Sequence, residues 1–196
     1  MKISKAAQRI KRKFFFARFK LSSYSSREKM LRKICYHIGT NTRICNDDFG
    51  SEPYMISIGN DVIIASGVKF IEHDASFFNV CRYLKVGSSK WEKIGPIIIG
   101  NNVFVGANSL LLPGTDIGDN SIIAAGAVVN CKIPPGEVWG GVPAKYIMSM
   151  DQYALKVKNR VETLPWYSRE SCNDLIKLRQ DYYFKRQEKK NEGIDS

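Results

Sequence analysis

A six-residue repeat runs through the middle of the chain, and its fourth position always carries a residue able to turn a corner. Counted from Ile58, Ile64, Ile99, Val105, Leu111, Ile117 and Ile123, the first position is aliphatic in every copy. The fourth reads Asp61, Gly67, Asn102, Asn108, Gly114, Asn120 and Gly126. Gly has no Cβ to clash at positive φ, and Asn and Asp tolerate that region better than other side chains; a run of seven such residues by chance is of order ~10⁻⁵ at this composition, before the choice of phase. The fifth position is small or β-branched (Val62, Val68, Val103, Ser109, Thr115, Ser121, Ala127) and the second is Gly in four copies of the seven. An aliphatic and a smaller residue pointing inward from a short extended run, then a corner, describes one side of a polygonal coil. Stacked coils bury a continuous column of Ile and Val, each touching only its neighbours. Parallel strands with crossover helices would need a dozen or more residues between strands, and six-residue spacing leaves no room for them.

The register breaks once. After Phe70 the phase is lost until Ile99, which leaves an excursion from Ser76 to Ile98, about 23 residues that cannot lie within a coil. Loops of that length in compact domains are usually functional. This one carries Phe77, Phe78, Arg82, Tyr83, Lys85, Lys90, Trp91 and Lys93, aromatic stacking surface mixed with cations; Tyr83, Lys85 and Trp91 are the candidates for acceptor contacts. At its root stands His73, one of two histidines in the chain, flanked by Glu72 and Asp74.

Charge is uneven. Residues 1–33 hold twelve Lys or Arg and one Glu, whereas residues 34–150 are net −2, so the overall +11 belongs to the N-terminal arm. Ile3, Ala7, Ile10, Phe14, Ala17 and Leu21 fall at alternating four- and three-residue spacing with basic residues around them, the pattern of a basic amphipathic helix over residues 1–33. Its apolar stripe has two readings: peripheral attachment of residues 1–21 to an anionic membrane surface, or packing on the coil or on a neighbouring subunit. The apolar run Phe14–Ala17 is stopped by Arg18 with no small-residue cleavage site after it, which argues against a signal peptide, and no stretch approaches a transmembrane span. Five cysteines, an odd number with no Cys-x-x-Cys pair, point to a cytoplasmic protein without a disulfide framework or zinc knuckle. Cys81 reads as a small apolar side chain. A body of net −2 gives no basic face for nucleic acid.

The repeats, with Ile97–Asn108, Ile133–Pro134–Pro135–Gly136 and Gly140–Gly141–Val142–Pro143–Ala144–Lys145, resemble the hexapeptide-repeat acyltransferases. The resemblance covers residues 34–148 and implies an all-β solenoid, a left-handed parallel β-helix with about three hexapeptides per triangular coil. The segment Phe49–Tyr54, leading to Phe70, His73 and Asp74, is most similar to O-acetyltransferases of surface polysaccharides, and similar also to xenobiotic acetyltransferases. The resemblance implies acetyl-CoA as donor, a saccharide acceptor, a homotrimer with active sites between subunits, and no metal. It matches His73 to the family's catalytic histidine. Transfer to a hydroxyl needs a base for the proton as oxygen attacks the thioester, and neutral imidazole suits that task. Asp74 or Glu72 would orient the ring, a role a backbone carbonyl fills equally well. His37 lacks such a context and reads as structural.

For the donor, Ala107 and Ala125 match family positions beside the pantetheine arm, and both also suit coil packing. Asn130 and Cys131 match the next contact pair, where the family often has Thr–Lys. Lys145 holds the basic position after Val142–Pro143–Ala144, and with Lys132 it would meet CoA phosphates. Gly140, Gly141 and Pro143 end the coil. Ser149 and Gln152 form a capping box opening a helix toward Arg160, broken at Pro165, and a second helix from about Ser171 to Lys189 completes a C-terminal cap over 149–196. Other classes fare worse. A zinc enzyme of the carbonic-anhydrase type would need three His ligands, and a pyrophosphorylase a nucleotide-binding domain ahead of the coil. Transfer to an antibiotic or to a sugar amine remains the alternative within the class, and a noncatalytic scaffold the alternative outside it.

Overall fold

The structure is a computed structural model and describes residues 14–15, 17–87, 93–167 and 174–185. The chain divides into two compact units, 1–152 and 153–196. In the first, short strands fall into three sheets that the chain visits in turn. One sheet stacks β1 (His37–Ile38), β3 (Ile56–Ile58), β6 (Ile97–Ile99), β9 (Asp116–Ile117) and β12 (Lys132–Ile133). The second stacks β2 (Arg43–Ile44), β4 (Ile63–Ile64), β7 (Phe104–Val105), β10 (Ile122–Ile123) and β13 (Glu137–Gly140), and the third β5 (Lys69–Phe70), β8 (Leu110–Leu111) and β11 (Val128–Val129). All these pairs are parallel; only β14 (Lys145–Ser149) runs antiparallel, along β13, and closes the stack.

Register gives the pitch. Ile98 pairs with Asp116, Phe104 with Ile122 and Leu110 with Val128, so one coil is 18 residues, three hexapeptides. The first position of every repeat is buried, from Ile58 through Ile123, and so is every fifth position from Val62 to Ala127. All seven fourth positions have positive φ, between 51° at Asn102 and 85° at Gly114. An earlier repeat joins them, with Ile38 and Thr42 buried and Asn41 at φ 55°. The coil from β1 to β3 is two residues longer than the later ones, His37 pairing with Ser57, and this slip hides the repeat in the sequence.

The buried hydroxyls of the later coils are satisfied. Ser109 donates to the carbonyls of Gly106 and Ala124, and Thr115 to those of Leu112 and Val129, which removes the cost of burying a hydroxyl. At the corner between the first two sheets a polar ladder runs along the stack. Asn60 Oδ1 accepts from Thr40 N–H, Asn101 Oδ1 from Asn60 N–H at 2.9 Å, and Asp119 Oδ1 from Asn101 N–H at 2.6 Å.

The open N-terminal end is covered by aromatic rings. Phe19 and Phe49 are fully buried and meet edge to face at 6.0 Å; Phe49 stacks on Phe70 at 5.3 Å. The helical stretch around 17–20 therefore packs through Phe19, with Phe15 stacked on it. Of the expected apolar stripe, Phe14 and Leu21 are 73% and 92% exposed, so these two residues do not pack on the coil. Packing follows Phe15–Phe19 because the aromatic pair fills the end of the coil better than Ala17 does. The part of the arm over 1–13 lies outside the described residues. Helix α1 (Tyr24–Leu31) follows, capped by Ser23, with Leu31 in the core.

The excursion is shorter at its far end than its spacing suggests, since Ile97 and Ile98 belong to β6. It folds as helix α2 (Phe77–Tyr83) with Cys81 buried. Its neck is tied by an antiparallel bridge between His73 and Ile94, with Asp74 N–H donating to Lys93 O and Gly95 N–H to Glu72 O, both at 2.8 Å. Helix α3 (Met150–Glu162) opens on the expected capping box: Ser149 N–H donates to Gln152 Oε1 and Gln152 N–H to Ser149 Oγ. In the second unit α4 (Leu175–Gln180) precedes a cluster in which Trp166 meets Tyr182 edge to face at 5.4 Å. Among the described residues no helix is long and apolar enough to cross a membrane.

Candidate active site

His73 occupies the place where the next corner residue should be. Phe70 is the buried first position of its repeat, so His73 is the fourth; instead of a turn into a new side, the chain leaves the coil here. The interruption opens a cavity of about 770 Å³ along the corner between the third and first sheets. Ser51, Glu72, His73, Asp74 and Lys93 supply its polar wall, Leu112 and Pro113 of the next coil its apolar wall, and Asn130 of the coil after that its far end. The volume suits a small molecule, held on a rigid stack with polar groups gathered at one side.

The two carboxylates flanking His73 differ in almost every respect. Glu72 is 1% exposed, and its Oε1 has no hydrogen-bond partner. Burial pushes its carboxyl above the usual glutamate range, against the opposing pull of the backbone N–H groups of Glu72, Glu52 and Ser51 and of nearby His73. It also helps hold the buried Cys35 thiol up at about 12, a value set mainly by that thiol's own burial. Asp74 sits at the mouth. Lys93 Nζ, 2.5 Å from its Oδ2, and the Ser76 N–H, 2.8 Å from its Oδ1, hold its carboxyl down at about 2. The imidazole of His73 meets neither carboxylate in a hydrogen bond. Its Nδ1 lies 3.0 Å from Ser51 Oγ, a residue the sequence reading passed over. Ser51 is 22 residues back, on the preceding coil, and the two-residue slip between those coils hides the pairing.

Ser51 is held by its turn. Gly50 adopts φ 57°, and the Glu72 carboxylate fills the space its Cβ would need, so no other residue fits there. Asp48, beside it, accepts from Gly50 N–H through Oδ1 and pairs with Lys69 through Oδ2 at 2.7 Å. A buried carboxylate thus backs the turn that presents Ser51 to His73.

Of the other expected site residues, Asn130 lines the same cavity. Ala107 and Ala125 lie on a different edge, the corner between the second and third sheets, stacked one coil apart with Gly126 N–H donating to Ala107 O at 2.8 Å. Cys131 is half-buried. Lys132 extends from β12 to an ion pair with Asp116 at 2.9 Å, which raises its pKa, and Lys145 is exposed at the start of β14. Tyr83 is 86% exposed on α2, and Lys85, at φ 57°, lies just beyond it; neither lines the cavity. Trp91 is outside the described residues. His37 is exposed on the outer face of β1.

The corner repeat, the three-sided stack and the cavity where the coil opens define a protein of stacked hexapeptide repeats. The bacterial transferase hexapeptide family (six repeats) matches residues 96–135. Protein CapG of Staphylococcus aureus is 41% identical over 144 residues, covering 70% of this chain and 80% of that protein. The galactoside O-acetyltransferase of Escherichia coli (strain K12) is 35% identical over 115 residues, 59% of this chain and 54% of that enzyme. Among solved structures, a hexapeptide-repeat-containing acetyltransferase of Vibrio cholerae O1 biovar eltor in complex with acetyl coenzyme A superposes with a TM-score of 0.54 at 21% identity, over 74% of this chain and 90% of that one, a likeness of fold. The chain belongs to the hexapeptide-repeat acyltransferase family, and it is an acyltransferase.

Proposed function

We propose that the protein is an acetyl-CoA-dependent O-acetyltransferase acting on a hydroxyl of a saccharide, a surface polysaccharide or its precursor, with His73 as general base. The observation that carries this reading is the position of His73: at a corner where the coil opens, in the wall of the cavity, with Nδ1 engaged by Ser51. Nε2 is then the ring nitrogen left for the acceptor. It takes the hydroxyl proton as that oxygen adds to the thioester carbonyl, and the CoA thiolate leaves. The name of the galactoside O-acetyltransferase relative supports a saccharide acceptor.

The coil is read as left-handed and the assembly as a homotrimer. Ala107 and Ala125 sit on one edge of the coil and His73 with Asn130 on another, so a donor groove using both sets is completed between copies. Ile63 and Phe104, neighbours on the outer face of the second sheet and 37% and 39% exposed, offer apolar surface for such a contact. Light scattering on the purified protein checks the trimer. We further read the arm as peripheral to an anionic membrane: exposed Phe14 and Leu21 belong to a segment rich in Lys and Arg. Cosedimentation with anionic but not neutral vesicles, lost in Phe14→Glu/Leu21→Glu, supports that placement.

The deciding experiment is thiol release from acetyl-CoA across sugars, lipid-linked glycans, amines and antibiotics, with wild type beside His73→Ala. Turnover on saccharides that collapses in the variant supports the reading. Turnover confined to amines or antibiotics moves the acceptor to the alternative class, and a chain that neither binds CoA nor releases thiol is a scaffold.

A further inference from the structure

Imidazole can act as a base through Nε2 only if its single neutral-form proton sits on Nδ1, and the group facing Nδ1 decides that. Here the group is a hydroxyl, which both donates and accepts. If Ser51 donated to Nδ1, the proton would be forced onto Nε2 and the ring would face the cavity as a donor, useless for abstraction. If Ser51 accepts, Nε2 is bare. Acceptance leaves the hydroxyl's own proton free to turn toward the cavity, whose polar wall includes the side chains of Glu72 and Asp74.

The turn is also built to hold Ser51 still. Gly50 is admitted only by its positive φ and missing side chain, Glu72 fills the space behind it, and Asp48 ties the turn to Lys69. Asp74, the neighbour whose charge would otherwise compete for Nδ1, is occupied by Lys93 and the Ser76 N–H. We propose that Ser51 is the positioning residue for His73: its hydroxyl accepts the Nδ1 proton and leaves Nε2 bare toward the acceptor, and the buried Glu72 side chain holds the Gly50–Glu52 turn that presents it. This rests on the reading of His73 as general base. Once Nε2 has taken the acceptor's proton, the same Nδ1–H bond to Ser51 stays in place, so the ring need not turn between abstraction and release of that proton.

Nitrogen NMR on the full chain labelled with ¹⁵N-histidine tests the proposal without relying on turnover. The sequence contains only two histidines, so His37→Gln assigns the spectrum. At a pH where the ring is neutral, wild type should show a protonated Nδ1 and a bare Nε2 for His73, and Ser51→Ala should shift it toward the Nε2–H form. In parallel, kcat should fall roughly tenfold to a hundredfold with the KM for acetyl-CoA unchanged, and Ser51→Thr, which keeps the hydroxyl, should restore most of it. A wild-type ring protonated on Nε2 overturns the proposal, as does a Ser51→Ala ring with the wild-type tautomer. Full turnover in His73→Ala beside a Ser51-dependent tautomer would instead sink the general-base reading while leaving the ring's positioning intact.

Discussion

The coils from Ile97 to Asn130 and the corner at Glu72–Gly95 belong to one stack and have opposite characters. In the first region every inward residue is aliphatic, small or an internally bonded hydroxyl, and every corner is Gly, Asn or Asp at positive φ. In the second a carboxylate is buried with one oxygen unpaired, a histidine replaces the corner residue, and the chain departs. The regular coils supply stability, and the irregular one accepts a local cost to gather chemistry. Sites that break the local rules of a fold are where function concentrates.

The sharpest way to test that division is a pair of changes with opposite readouts. His73→Ala should lower kcat by about two to four orders of magnitude while leaving the melting temperature at the wild-type value. Leu111→Ala, in the fully buried column, should cost about 2–5 kcal/mol in a denaturant titration while the folded fraction keeps its kcat. A His73 variant that melts early, or a Leu111 variant that folds normally but is inactive, would break the comparison. Corners give a smaller effect. Asn102→Ala should cost about 1–2 kcal/mol from its left-handed backbone, and more through loss of its bond to Asn120 Oδ1, whereas Asn102→Gly should recover the backbone part.

The smallest effect separates the two carboxylates by sign. Glu72 has its pKa raised by burial, so the folded chain holds that proton more tightly than the unfolded one. The stability this contributes is complete below the ordinary glutamate range and lost as pH rises through the raised value. Asp74, held at about 2 by Lys93, contributes stability that is present above the ordinary aspartate range and lost as pH falls toward 2. Melting curves against pH should therefore flatten above the ordinary glutamate range in Glu72→Gln, and only on the acid side in Asp74→Asn. The same slope change in both variants would contradict the assignment.

The sequence made the regular region legible and the irregular one only partly so, for a physical reason. A corner is a local event: Asn102 or Gly114 announces it alone, because the constraint is on its own φ. His73 was found from its place at the lost register and from family resemblance. Ser51 could not be, since its contact is set by how two coils slip past one another and not by anything within either segment. The arm fails in the same way. Its helical period is plain, yet whether Phe14 or Phe15 turns inward depends on the Phe19 ring, which itself meets Phe49 at the end of the coil. Asn130 and His73 belong to one cavity because 18-residue coils align their corners, which the repeat does foretell.

The ladder from Thr40 through Asn60 and Asn101 to Asp119 crosses the level of the excursion without a gap, Asn60 bonding Asn101 across 41 residues of sequence. The detour hangs from one corner of the stack while a neighbouring corner is stitched straight through. Everything between the His73–Ile94 bridge can therefore be exchanged, lengthened or rebuilt without asking the stack to change its register. A scaffold of this kind confines change in that segment to one corner, while the register of the stacked strands on either side stays fixed.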